Sequence, residues 1–163
     1  MYISYDDYAA FFGYDRLPTE MFERCAMEAD RIMDNYTTGV DGYRKLKYAF
    51  PTDADDARIV KFCEARVLDI IWQIAEASDA QRASRKQVQT ENGSHSNLIS
   101  SMSSGNESVS YATGVSDGDA IAKAAADTNA KAQLIDEMLR GTLRGIEDAN
   151  GINLMYMGVY PHV

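Results

Sequence analysis

The sequence predicts an all-α protein: a small helical bundle with a long polar loop or β-hairpin arm and an extended C-terminal tail. Three observations predict it. Apolar residues recur at helical spacing in long stretches near residues 19–36, 52–79 and 117–145. Capping residues stand at the start of most of these stretches. The composition between them turns abruptly polar at about residue 80.

A short helix over about 5–12 opens the chain. Ser4 caps it, Asp7 three residues later completes a reciprocal capping box, and Gly13 ends it. Tyr5, Tyr8, Ala9 and Phe12 form its apolar face. A second helix begins near Pro18 or Thr19, since proline suits the first helical turn. Phe22, Cys25, Ala26, Ala29, Ile32, Met33 and Tyr36 then keep the rhythm of one buried face, which stops around Thr37–Gly39. A loop rich in Gly, Tyr and Lys follows, as far as Pro51.

Thr52 and Asp55 suggest another capping box, opening a third helix through about residue 79. Ile59, Phe62, Cys63, Val67, Ile70, Ile71 and Ile74 form its apolar stripe, with Trp72 beside it. This is the most hydrophobic stretch and the predicted centre of the core, with Glu64 and Gln73 on its polar side. From Asp79 to Gly118 the chain is mostly Ser, Gly, Asn, Gln and Thr, too polar to bury a core of its own. A stretch of that length is a functional arm rather than an ordinary loop. Within it, Glu107–Thr113 alternates weakly and predicts a short strand or hairpin edge.

Ser116 and Asp119 predict a third capping box and one helix over 117–145. Its seam of Ile121, Ala125, Thr128, Ala132, Ile135, Leu139 and Thr142 has heptad spacing and small residues, suited to close packing. Gly141, Gly145 and the Glu147–Gly151 segment end it. The last residues, Asn153 to Tyr160, are apolar with some strand character, although chain ends are normally polar and frayed. Two readings stay open for them: the segment folds back on the core, or it is a docking peptide for another chain. The whole chain, 1–163, is read as a single domain. Its helical core lies at about 5–79 and 117–145, its arm at about 80–116 and its tail at about 150–163.

Composition narrows the function. The 163 residues are 45% apolar and 25% charged, and no apolar run approaches the roughly 20 residues that span a bilayer. The start, MYISYDDYAA, lacks the basic and apolar segments of a signal peptide, so synthesis in the cytoplasm is expected. Cys25 and Cys63 fall on apolar helix faces without CxxC spacing and read as buried thiols. The net charge is −9, and residues 1–80 alone carry 16 acids against 9 bases. Without a basic stripe such a chain is a poor candidate for gripping phosphates.

No catalytic set emerges. Serines are plentiful and His95 is available, but there is no GxSxG elbow and His95 lies in the polar stretch. Asp53, Asp55 and Asp56 lack the ligand spacing of a calcium loop and suit a helix N-terminus instead. No catalytic residue, metal site or cofactor is therefore expected. Tyr43, Tyr48 and Phe50 beside Arg44, Lys45 and Lys47 form the basic-aromatic segment. Contact with a neighbouring subunit is favoured there over stacking on nucleic acid.

The order of motifs resembles a known family. MYISYDDYAAFFG and LPTEMFERCAMEADRIMDNYT are similar to the start of the small head-tail connectors of siphophages, the head-completion adaptors beneath the portal. Those run from a short aromatic segment into a helix with an RxIDxxT-like end, here Arg31, Ile32, Met33, Asp34 and Thr37. Their Ser/Gly-rich loop carries a motif like SxSVSY, partly matched by Glu107, Ser108, Val109, Ser110 and Tyr111. Their LLYRGV-like tail is similar to Leu154, Met155, Tyr156, Met157, Gly158 and Val159. The likeness runs in order along nearly the whole chain. The tail departs from it, with Met157 where a basic residue is common and a continuation through Tyr160 to Val163.

The resemblance implies a mainly helical structural subunit of the virion neck. It would form a ring of twelve copies under the portal, complete the head after packaging and extend the channel for double-stranded DNA without binding it specifically. It would also present a surface to the next neck or tail protein. Ser108, Val109, Ser110 and Tyr111 are then expected at the inter-subunit arm. Leu154, Met155, Tyr156, Met157, Val159 and Tyr160 are expected in the portal-docking tail. The alternative is a small helical regulatory or binding protein encoded by a phage.

Overall fold

In the computed structural model the chain is mostly helical, in keeping with the all-α expectation. The structure describes residues 1–90, 101–104, 107–110 and 117–161, with side chains at 1–82 and 120–161. Two compact units are present: Met1–Trp72 with Gln133–Val163, and Gln73–Ala132.

The first unit begins with α1, Tyr5–Phe12. Ser4 Oγ accepts from the Asp7 N–H at 3.1 Å and Asp7 Oδ2 accepts from the Ser4 N–H at 2.9 Å, the expected capping box. Gly13 ends the helix at φ +91°, donating its N–H to the Ala9 carbonyl at 2.8 Å. The aromatic face of α1 packs Tyr5 edge-on to Phe22, and Phe11 and Phe12 against Phe62. Tyr8, fully buried, donates its hydroxyl to Asp69 at 3.0 Å. Arg16 grips both oxygens of that carboxylate.

Helix α2, Thr19–Thr37, buries Phe22, Cys25, Ala26, Ala29 and Met33 of the face read from spacing, while Ile32 and Tyr36 are half-buried. The loop after it contains a short helix absent from the sequence reading, α3, Lys45–Tyr48. Helix α4, Ala54–Thr90, differs from expectation in three ways. Its cap is Asp53, whose Oδ1 accepts from the Asp55 and Asp56 N–H groups, rather than Thr52. It continues eleven residues past 79, because no glycine or proline occurs until Gly93 and Ala, Gln, Arg and Lys are good helix formers. The first part of the predicted arm is therefore helical.

The third difference lies in the core itself. Val60, Cys63, Glu64, Ala65, Val67, Leu68, Asp69, Ile70 and Ile71 are all buried, so α4 is enclosed on nearly every side here. A single stripe had pointed to Ile59 and Phe62, which are only half-buried, and had placed Glu64 on the wet side. Enclosure removes the polar face that the stripe assumed. Helix α6, Thr128–Leu143, closes the unit with Ile135, Met138, Leu139 and Leu143.

In the second unit α4 continues from Gln73, and β1, Ser101–Ser104, pairs antiparallel with β2, Glu107–Ser110. Met102 stands opposite Val109 and Ser103 opposite Ser108. The strand expected near residue 107 thus has its partner in the same chain. The expected strand residues 111–113 lie outside the described residues. Helix α5, Asp117–Ala126, and the start of α6 replace the single helix predicted over 117–145. The break falls at Asp127, whose Oδ1 accepts from the Asn129 N–H at 2.8 Å and so caps a new helix. Thr128 and Ala132, placed on the seam by heptad spacing, are exposed.

Candidate functional site

The surface of interest is where the C-terminal segment meets the loop between α2 and α4. After α6 the chain turns through Asp148–Gly151, a turn organised by Asp148. Its Oδ1 accepts from the N–H groups of Asn150 and Ile152, while its own N–H donates to the Ile152 carbonyl. The Ala149 N–H donates to the Ala49 carbonyl at 3.1 Å, tying the turn to the end of α3. The Leu154 N–H donates back to the Ile146 carbonyl, and the Leu154 side chain is fully buried.

Lys45 holds the next stretch. It is fully buried, an unusual place for an ammonium, and its Nζ donates to the Leu154 carbonyl at 2.8 Å and to the Tyr156 carbonyl. Burial lowers its pKa, and the nearby Asp148 and Asp41 carboxylates oppose that shift. Beyond Lys45, the Val40 N–H donates to the Met157 carbonyl and Asp41 Oδ2 accepts from the Tyr160 N–H at 2.8 Å. The two strands of backbone lie very close here. A Cβ on Gly39 would stand 2.7 Å from the Gly158 carbonyl oxygen, so only glycine fits.

Tyr160 finishes the closure. Its ring stacks on Tyr43 with centroids 4.0 Å apart, and its buried hydroxyl donates to Asp148 Oδ2 at 2.6 Å while accepting from Asn150. Burial and the Asp148 carboxylate push its phenol up to about 12.

The extended tail expected from the sequence is therefore a folded-back segment. Of the six residues assigned to docking, Leu154 and Tyr160 are buried in their own chain and Met155 is half-buried. Tyr156, Met157 and Val159 are exposed, as are Val40, whose N–H donates to the Met157 carbonyl, and Tyr48, whose ring meets Tyr43. These five make up most of the large apolar side chains left wet among the described residues. Large apolar side chains left wet are candidates for contact with another molecule.

Sequence reasoning named the tail residues, and named Lys45 only as part of a segment facing a neighbouring subunit; it missed Val40, Asp41 and Asp148. The turn-forming run Asp148-Ala-Asn-Gly151 was a usable signal for a reversal, and the buried role of Lys45 had none. The basic-aromatic segment is largely occupied within the chain: Arg44 pairs with Asp34, Lys45 holds the tail and Lys47 lies over Tyr48. Of the arm residues, Ser108, Val109 and Ser110 lie in β2, and Tyr111 lies outside the described residues. His95 also lies outside them.

Other chemistry is sparse. Cys25 and Cys63 are both buried thiols, and burial pushes Cys63 up to about 12, which keeps it protonated at neutral pH. Among the described residues no group of three or more His, Cys, Asp or Glu is arranged to hold a metal ion. No described helix is long and apolar enough to cross a membrane. No protein-family model matches the chain, and neither a curated protein nor a solved structure shows significant similarity to it.

Proposed function

We propose that this chain is a structural head-tail connector of a tailed bacteriophage. It would be one subunit of a ring of twelve beneath the portal that completes the head, extends the DNA channel and joins the tail. The observation that best supports this, beside the sequence resemblance, is that Val40, Tyr48, Tyr156, Met157 and Val159 are left exposed on the C-terminal segment and the loop it is bonded to. The backbone there is pinned while these side chains stay wet, a combination that suits a lasting contact with another protein.

In this proposal the finer architecture is a small bundle that carries the arm at about 80–116. The hairpin with Ser108, Val109 and Ser110, followed by Tyr111, reaches a neighbouring copy. Tyr156, Met157 and Val159 meet the portal, and Leu154 and Tyr160 hold them in place. The next neck or tail protein binds below. The charge of −9 per subunit lets double-stranded DNA pass the ring without being held. No catalysis or cofactor is required.

The test is negative-stain microscopy of the protein mixed with the portal of the same phage. Rings stacked on the narrow end of the portal are expected for the wild type. Replacing Tyr156, Met157 and Val159 together by serine should remove them without lowering the melting temperature. A wild-type protein that stays monomeric or dimeric and leaves the portal bare overturns the connector assignment in favour of a small phage-encoded binding protein.

A further inference from the structure

Two carboxylates meet inside the first unit. Glu64 on α4 is fully buried, although it stands in the middle of the most apolar stretch of the chain. It lies within hydrogen-bonding reach of the Asp30 side chain on α2. One oxygen of each, Glu64 Oε2 and Asp30 Oδ1, is buried without a donor. Their other oxygens are engaged: Asp30 Oδ2 by the Met1 ammonium at 2.6 Å, and Glu64 Oε1 by the Tyr2 N–H at 3.5 Å.

Two ionised carboxylates in this position would repel at short range in a poorly hydrated site, and each would leave a buried oxygen unsatisfied. One proton removes both costs, because a neutral Glu64 becomes an O–H donor and Asp30 its acceptor. We infer that Glu64 is protonated and hydrogen-bonded to Asp30, making a proton-dependent clasp between α2 and α4. Charge-assisted O–H···O⁻ bonds are among the stronger kinds available to a protein, so the proton joins the helices rather than merely sparing them a repulsion.

The surroundings favour the same assignment. Burial, followed by the Asp30 carboxylate, raises the Glu64 carboxyl far above the ordinary glutamate range, and the Tyr2 N–H and Met1 ammonium oppose this only in part. From α2 the neighbouring acid beyond Asp30 is Asp34, already engaged by Arg44 and the Tyr2 hydroxyl. On α4 itself the adjacent Cys63 is neutral at ordinary pH, its thiol pushed up to about 12.

The direction of the pH effect follows. Folded Glu64 keeps its proton after the unfolded chain has released it. The stabilisation is complete below the ordinary glutamate range and is lost as pH rises toward the raised folded value. Across that interval one proton is taken up on folding, so the unfolding constant rises by up to about tenfold per pH unit relative to a chain lacking the group. The clasp is thus held by acid and loosened by base. It does not depend on the connector assignment.

The experiment uses the full chain and its Glu64→Gln variant, in which an amide of the same shape still donates to Asp30. Infrared difference spectra at neutral pH should show the carbonyl stretch of a protonated carboxylic acid in the wild type and its loss in the variant. Urea unfolding across pH 5 to 8 should show the wild type losing stability relative to the variant as pH rises. Absence of the protonated band from the wild type at neutral pH overturns the inference, even if the variant fails to fold. Parallel pH profiles for the two proteins overturn it as well.

Discussion

Removing one oxygen atom tests whether the C-terminal segment belongs to the core. In Tyr160→Phe the ring and its stacking on Tyr43 remain, but the hydroxyl that donates to Asp148 Oδ2 and accepts from Asn150 is lost. Asp148 is buried and keeps its two backbone donors on Oδ1, so the variant strands one carboxylate oxygen in a dry place. A hydrogen bond to a charged group contributes about 1.5–3 kcal/mol. For a chain of this size about 2 kcal/mol corresponds to a melting temperature lower by roughly 4–8 °C. Urea unfolding at neutral pH measures the loss directly, and an unchanged m-value shows that it arises in the folded state. A double-mutant cycle with Asp148→Asn should return a coupling of at least about 1 kcal/mol, as for residues in direct contact. A free tail would behave otherwise, since substitutions at exposed positions usually stay within about 0.5 kcal/mol. A loss that small for Tyr160→Phe, matching that of the exposed Val159→Ser, refutes the folded-back closure.

Leu154→Ala and Ile70→Ala should each cost about 2–5 kcal/mol in thermal unfolding, whereas Met27→Ala, on an exposed position, should stay within about 0.5 kcal/mol. Deleting residues 152–163 should unfold the first unit, because it removes Leu154 and Tyr160 from the core and leaves the buried Lys45 ammonium without its carbonyl partners; a truncated chain of normal stability would contradict this. Duplex DNA titrated at physiological salt and followed by fluorescence anisotropy should show no submicromolar binding, since a chain with net charge −9 repels phosphates.

Some local signals in the sequence were legible, although the α4 cap fell at Asp53 rather than Thr52. Ser4 and Asp7 announced α1, Pro18 and Thr19 announced α2, and the spacing from Phe22 to Met33 named its buried face. What escaped depends on contacts distant along the chain. Glu64 reads as a polar position in any periodicity count, yet α4 is enclosed and the half-buried Asp30, 34 positions earlier, meets it there. Lys45 reads as part of a basic-aromatic loop facing a neighbouring subunit, yet a carbonyl 109 residues away in its own chain accepts from it. Asp127 sat unnoticed inside an apparently continuous heptad pattern, because an aspartate in a helix interior and one capping a new helix look alike in sequence. The candidate surface was half legible. Its tail residues stood out by composition and Tyr48 by its basic-aromatic segment, while Val40 is brought to Met157 only through the fold.

A pinned segment is better suited to docking than the loose tail suggested by composition. A disordered peptide must be ordered when it binds, at a cost of roughly 0.5–1.5 kcal/mol for each rotamer-rich side chain immobilised, besides its backbone. Here that ordering is already met by intramolecular contacts: Lys45 fixes the carbonyls of Leu154 and Tyr156, Val40 pairs with Met157, and Asp41 fixes the amide of Tyr160. Tyr156, Met157 and Val159 are left exposed on a backbone whose course is set. Part of the main-chain pairing is then used within the chain, so a partner of the proposed connector would recognise side chains as well as backbone. Specificity should follow the shapes of Tyr156 and Met157 and tolerate changes to the buried Leu154 only as far as the fold does. Copies repeated around a ring would add these contacts without ordering each one anew, and a weak single contact becomes a strong collective one.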